Sequence, residues 1–256
     1  MGFVLGQSIF TPTDTARTEV VENDRPYAGW LYLGVSATVR TDDRLDTFEA
    51  TLGVVGPASL AGQAQTAVHR MRAFDLPQGW DNQLHNELVP QLLFDRKVKL
   101  APAAPGPGVR GELIGNWGFA AGTAYVFANA GITARLGWNV DTAHDFGPPR
   151  IEPSLAGYDP FPEALGGYVF LGGGLTGVAR NMFLDGNTFA NSHRVEKLPV
   201  VLDLIGGAVL FVPVGRFTGT NLPSLRVAYT QTRRSREFRG QTAPDRFAGL
   251  SLSVQF

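Results

Sequence analysis

Hydrophobic and polar side chains alternate along much of this chain with a period of two, which puts successive residues on opposite faces of extended strands. Near the C-terminus Leu250, Leu252, Val254 and Phe256 share one face, and Ser251, Ser253 and Gln255 the other. Upstream, Val126, Ala128, Ala130, Ile132, Ala134, Leu136 and Trp138 oppose Thr123, Asn129, Gly131, Thr133, Arg135 and Asn139. Phe48, Ala50, Leu52 and Val54 likewise alternate with Thr47, Glu49, Thr51 and Gly53, and Leu225, Val227 and Tyr229 with Arg226, Ala228 and Thr230. This is the rhythm of strands and not of helices.

The pattern predicts about ten strands, near residues 2–11, 27–40, 44–55, 83–100, 109–120, 123–139, 165–178, 195–212, 222–234 and 247–256. Asp42-Asp43 and residues 213–215 punctuate the series, and the run at 101–108, rich in Pro and Ala, reads as a turn. Longer gaps fall at 12–26, 56–82 and 140–164. No internal repeat or linker interrupts, so a single domain over residues 1–256 is the simplest division. Strands with one apolar and one polar face suit an all-β fold, a transmembrane antiparallel up-and-down β-barrel whose wall meets lipid and whose lumen is polar. Alternation up to a C-terminal Phe resembles the closing strand of bacterial outer-membrane barrels. With that terminus on the periplasmic side, connections 12–26 and 56–82 are expected at the cell surface, and 140–164 on the periplasmic side, where such a length is unusual.

Composition narrows the environment. Thirty-one Gly, seventeen Phe and a mean hydropathy of −0.02 fit strands with one wet face, and no apolar run is long enough for a transmembrane helix. The absence of Cys excludes disulfides and thiolate metal sites. A net charge of −1 argues against nucleic acid as a partner. No signal peptide is visible, because Met1 leads almost at once into strand-like sequence; a processed form, an N-terminally incomplete chain or a late start codon is therefore expected.

Chemistry is expected in the 56–82 connection. There Ser59 can cap a helix with an apolar stripe of Leu60, Ala64, Ala67, Val68 and Met71. Gln65 and His69 stand four residues apart, on one neighbouring stripe. An imidazole held in one tautomer by an adjacent amide leaves its other nitrogen free to accept a proton from water, although the same spacing fits a surface helix with an ordinary polar His. Arg17, Arg25, Arg70 and Arg72 lie in or beside the surface connections and can bind phosphates and acidic sugars; arginines at the rim of any barrel in lipopolysaccharide read the same way. His85 reads as a lumen side chain on a strand, and His144 and His193 as loop residues without metal-ligand spacing. Trp30, Trp80, Trp117 and Trp138 read as girdle residues at the bilayer boundary. Gly172-Gly173-Gly174 lies inside a strand with no helix after it, unlike a phosphate loop.

Four blocks carry a resemblance: GQSIFTP (6–12), NDRPYAGWLYLG (23–34), GVVGPASLAGQAQTAVHR (53–70) and QGWDNQLHNE (78–87), with REFRG (236–240) before the last strand. Together they resemble the outer-membrane lipid A 3′-O-deacylase family. The resemblance implies a twelve-stranded barrel, with a short helix in a surface-side loop and a site near the outer-leaflet rim. It also implies calcium-assisted removal of the acyl chains ester-linked at the 3′ position of lipid A. The family's catalytic His falls on His69, the expected general base, with Gln65 and Asp75 at family polar and acidic positions beside it. A divalent cation would stabilise the oxyanion. The family's Asn-Asp pair and following Tyr-Thr/Ser step, which contribute to the site, have no counterpart here. The hairpin bearing the expected metal ligand is thus expected to be absent, leaving the metal ligands unassigned. The alternative is a non-catalytic barrel, either a degenerate family member or a small pore. A serine-dependent phospholipase fits less well, because no Ser stands in a nucleophile context with His69.

Overall fold

The computed structural model describes residues 1–101, 108–140, 145–148, 164–214 and 224–255. Ten strands make one antiparallel sheet in chain order: β1 (Gly2–Phe10), β2 (Ala28–Arg40), β3 (Arg44–Val55), β4 (Glu87–Ala101), β5 (Val109–Gly122), β6 (Tyr125–Trp138), β7 (Gly166–Asn181), β8 (Val200–Pro213), β9 (Ser224–Arg234) and β10 (Asp245–Gln255). Every strand pairs with its neighbours in sequence, the order of an up-and-down barrel. Among the described residues β1 and β10 each have one strand neighbour. The shortest strand has 9 residues and the longest 16, against the ~9–11 that a tilted strand needs to cross a bilayer core.

The strand expectations hold, with shifted ends. β4 starts at Glu87 and not 83 because Leu84 is spent outside the ladder, its N–H donating to the Tyr27 carbonyl at 2.9 Å. β8 starts at Val200 because Val195 and Leu198 donate instead to Leu184 and Glu237. The 102–107 part of the expected turn, residue 215, residues 222 and 223, His144, most of the 140–164 connection and Phe256 lie outside the described residues.

Register fixes which face meets what. Phe3, Leu5 and Leu250 are 95%, 79% and 76% exposed, on the same outward face as Leu33, Leu52, Leu92 and Leu171. The alternate positions point inward, and there Thr47, Glu49, Thr51, Gln91, Thr133, Thr230 and Thr232 are buried. Apolar outside and polar inside inverts the arrangement of a water-soluble protein and matches a wall bathed in lipid.

Two chain segments occupy the lumen. At the end carrying the long connections, α2 (Met182–Asp185) turns inward after β7 and buries Met182, Phe183 and Leu184. Phe183 stacks on Phe10 at 4.0 Å between centroids and meets Trp30 and Tyr125 at 5.9 and 5.3 Å. Trp30, expected in the girdle, is therefore a lumen residue, whereas Trp117 and Trp138 do face outward. At the opposite end residues 145–148 cross the interior. Arg135 Nε donates to Glu112 at 2.7 Å, and its terminal nitrogens bind the Asp145 carboxylate and carbonyl. Lys97 donates to the Pro148 carbonyl at 2.7 Å, Lys99 sits 4.2 Å from the Phe146 ring centre, and Arg226 reaches the Gly147 carbonyl at 3.4 Å. Contacts from β4, β5, β6 and β9 thus converge on this segment, and a cavity of about 130 Å³ remains beside it.

Candidate active site between a helix and the barrel wall

The β3–β4 connection leaves the barrel and folds back on its outer surface. Gly56 begins it with φ +99°, a left-handed value that suits glycine, and an added Cβ there would also strike the backbone of His85 and Asn86. A 3-10 turn (Pro57–Ser59) and helix α1 (Ala61–Met71) follow. The helix is where the sequence places it, but Ser59 does not cap it. The cap position is Leu60, in a left-handed conformation (φ 58°), and the buried Ser59 hydroxyl donates to the Gly56 carbonyl at 2.6 Å.

This turn lets α1 lie against the outward face of β1 and β2 at a single close approach. Gly29 of β2 points outward, and a Cβ built there would overlap the Ala61 methyl and the Ser59 hydroxyl. Beside it, Gln7 of β1 donates to the Ser59 carbonyl at 2.6 Å. Ala61 is 1% exposed. Trp80 braces the other side: Gly62 leaves room for its ring, its indole N–H donates to Gln65 Oε1 at 2.9 Å, and its ring meets Tyr27 at 5.1 Å. Tyr27 in turn donates to the Thr15 carbonyl at 3.3 Å, and burial pushes its phenol above the ordinary value, which keeps it a donor. Trp80 is thus a brace for the helix rather than a girdle residue, and no local sequence signal marked it or Gly29 for this role.

His69 is half-buried one turn after Gln65. Its Nδ1 stands 2.6 Å from the carbonyl oxygen of Asp75. A carbonyl can only accept, so Nδ1 carries the proton and Nε2 presents a lone pair. The chain returns to make this contact through Ala73, at φ 53°, and through Phe74, whose N–H donates to the His69 carbonyl at 2.9 Å and whose ring meets the imidazole edge-on at 5.8 Å. The tautomer is therefore set by the backbone of Asp75, and not by the Gln65 amide, which Trp80 engages. The Asp75 side chain is exposed.

The candidate arginines occupy three settings. Arg25 is a strut: its guanidinium meets Glu237 at 2.6 Å and Asp245 at 3.2 Å and lies over Phe238. Arg17 pairs with Asp14 at 3.6 Å, with both side chains exposed. Arg70 is exposed on α1. His85 precedes β4 as an exposed loop residue, not a lumen side chain, and His193 Nε2 lies 2.8 Å from the Asp24 carbonyl.

A family model described as "Outer membrane protein LpxR" matches residues 1–256. The chain belongs to the LpxR family. A solved structure, "LpxR from Salmonella typhimurium", superposes with a TM-score of 0.81 at 20% identity, covering 99% of this chain and 82% of that one, which establishes a shared fold. No curated protein matches. Membership in LpxR identifies the medium around the apolar wall as the outer-membrane bilayer. A hard cation such as Ca²⁺ takes about six to eight oxygen ligands, usually with several carboxylates. Among the described residues of this LpxR-family chain, no three His, Cys, Asp or Glu gather as a metal site. Near His69 the groups described are a backbone carbonyl, an amide and the single carboxylate of Asp75. This set does not fit calcium.

Proposed function

We propose that the protein is an outer-membrane carboxylic ester hydrolase that removes acyl chains ester-linked at the 3′ position of lipid A, with its site near the outer-leaflet rim. The observation carrying this reading is the oriented imidazole of His69 on a helix clasped to the lipid-facing wall, in a chain of the LpxR family. Nε2 takes a proton from water as the water oxygen attacks the ester carbonyl. The tetrahedral intermediate then expels the sugar oxygen, which recovers that proton from the imidazolium, leaving a free fatty acid and a sugar hydroxyl. Gln65, with its oxygen occupied by Trp80, presents its NH₂ as a hydrogen-bond donor for the developing oxyanion. Asp75 contributes through its carbonyl, by holding the imidazole. No step is assigned to a divalent cation. Arg17, Arg70 and Arg72, exposed at this end, are open to lipid A phosphates. Two lumen plugs tell against the small-pore alternative.

Mass spectrometry of lipid A from cells expressing the protein tests the reading. Loss of the 3′-linked acyl group is expected, with retention of that group in His69→Ala at equal folded abundance. Unchanged lipid A from folded wild-type protein overturns it.

A further inference from the structure

The sides of α1 meet three different surroundings. Ala61, Gly62, Gln65 and His69 form the side turned to the barrel wall and Trp80. At ~100° per residue, a second side carries Leu60, Ala64, Ala67, Val68 and Met71, and a third carries Gln63, Thr66 and Arg70. The second side is the apolar stripe that would be buried in a water-soluble fold, yet Leu60, Val68 and Met71 are 54%, 46% and 79% exposed. Phe74, just beyond the helix end, is also exposed. The stripe is also continuous with an interface already assigned: α1 is clasped to β1 and β2, whose outward Leu5, Ile9 and Leu33 belong to the lipid-facing wall.

We infer that α1 is an interfacial helix whose Leu60–Val68–Met71 side is immersed in the acyl chains of the adjacent leaflet while Gln63, Thr66 and Arg70 face headgroups and water. The occupant is lipid. Among the described residues no protein packs over the apolar side, which opens onto the same medium as the wall, and a helix with wall, oil and water on three sides fits where bilayer and solvent meet. Arg70 and Arg72 flank Met71, and long cationic side chains at such a boundary extend toward phosphates while their stems stay in the apolar layer. The inference rests on outer-membrane family membership and the packing of α1, and stands whether or not His69 is catalytic.

The chain has no Cys, so single cysteines report cleanly. Val68→Cys, Met71→Cys, Gln63→Cys and Arg70→Cys, each labelled with a small fluorophore, are reconstituted into phosphatidylcholine vesicles, with heat-shifted gel mobility confirming the folded barrel. Acyl-brominated phosphatidylcholine is expected to quench positions 68 and 71 roughly threefold more than 63 and 70, and aqueous iodide to show the reverse order. Equal iodide quenching at all four positions overturns the inference. So does protection of 68 and 71 that lacks bromolipid quenching and grows with protein-to-lipid ratio, since a second copy would then cover the stripe.

Discussion

Gly29→Ala tests the clasp between helix and wall with one methyl group. An ideal Cβ at this position would lie well inside the 3.0 Å that real Cβ atoms keep from both the Ala61 methyl and the Ser59 hydroxyl. Neither neighbour can swing aside: Ala61 has no rotamers, and Ser59 is buried and bonded to Gly56. The 3-10 turn and the start of α1 must therefore retreat by roughly 1 Å, and displacement on that scale can cost about 10²-fold in rate. Overpacking of this kind costs ~1–3 kcal/mol, and here it falls on a surface clasp while the strand ladder is untouched. Deacylation of lipid A in detergent–lipid micelles is therefore expected to fall by one to two orders of magnitude, with heat-shifted gel mobility preserved. A Gly29→Ala protein that folds and turns over at the wild-type rate would refute the reasoning that this contact sets the position of His69.

The aromatic plug should dominate stability at its end: Phe183→Ala, which removes a fully buried ring stacked on Phe10, is expected to cost about 3–5 kcal/mol in denaturant unfolding from micelles, and a loss below ~1 kcal/mol would show that the ring is not packed as described. Asp145→Ala strips Arg135 of one of its two carboxylates and unties residues 145–148; removing one partner from a buried ion pair costs about 3–5 kcal/mol. In planar bilayers the wild type is expected to stay closed and Asp145→Ala to show added ion conductance, whereas equally silent traces would mean that this segment does not control the lumen.

The strands were legible because alternation is local: a residue such as Ile132 needs only its neighbours to declare a face. What a face meets is a global matter. The stripe from Leu60 to Met71 has a clear helical period, and the ordinary expectation buries it, yet it turns outward because the side carrying Ala61 and Gly62 is the one clasped to the wall and Trp80. Trp30 and Trp80 look like girdle residues for the same reason, since an indole suits a lumen, a brace or a boundary equally. Phe183 and Asp145 lie in connections without periodicity, and their roles arise only when distant strands enclose them. At the candidate site, Gln65 lies one turn before His69 and Asp75 just beyond the helix, but the groups that engage Gln65 and His69 are an indole N–H and a backbone oxygen. Sequence spacing carries no trace of either.

The filled lumen also bears on how many copies a cell can tolerate. The outer membrane acts as a sieve, and every open channel admits bile salts, antibiotics and other small toxins along with nutrients. A lumen entered by its own chain at both ends is expected to add no such leak, so that its abundance could rise without weakening the barrier in which it sits; silent wild-type traces in planar bilayers are the check.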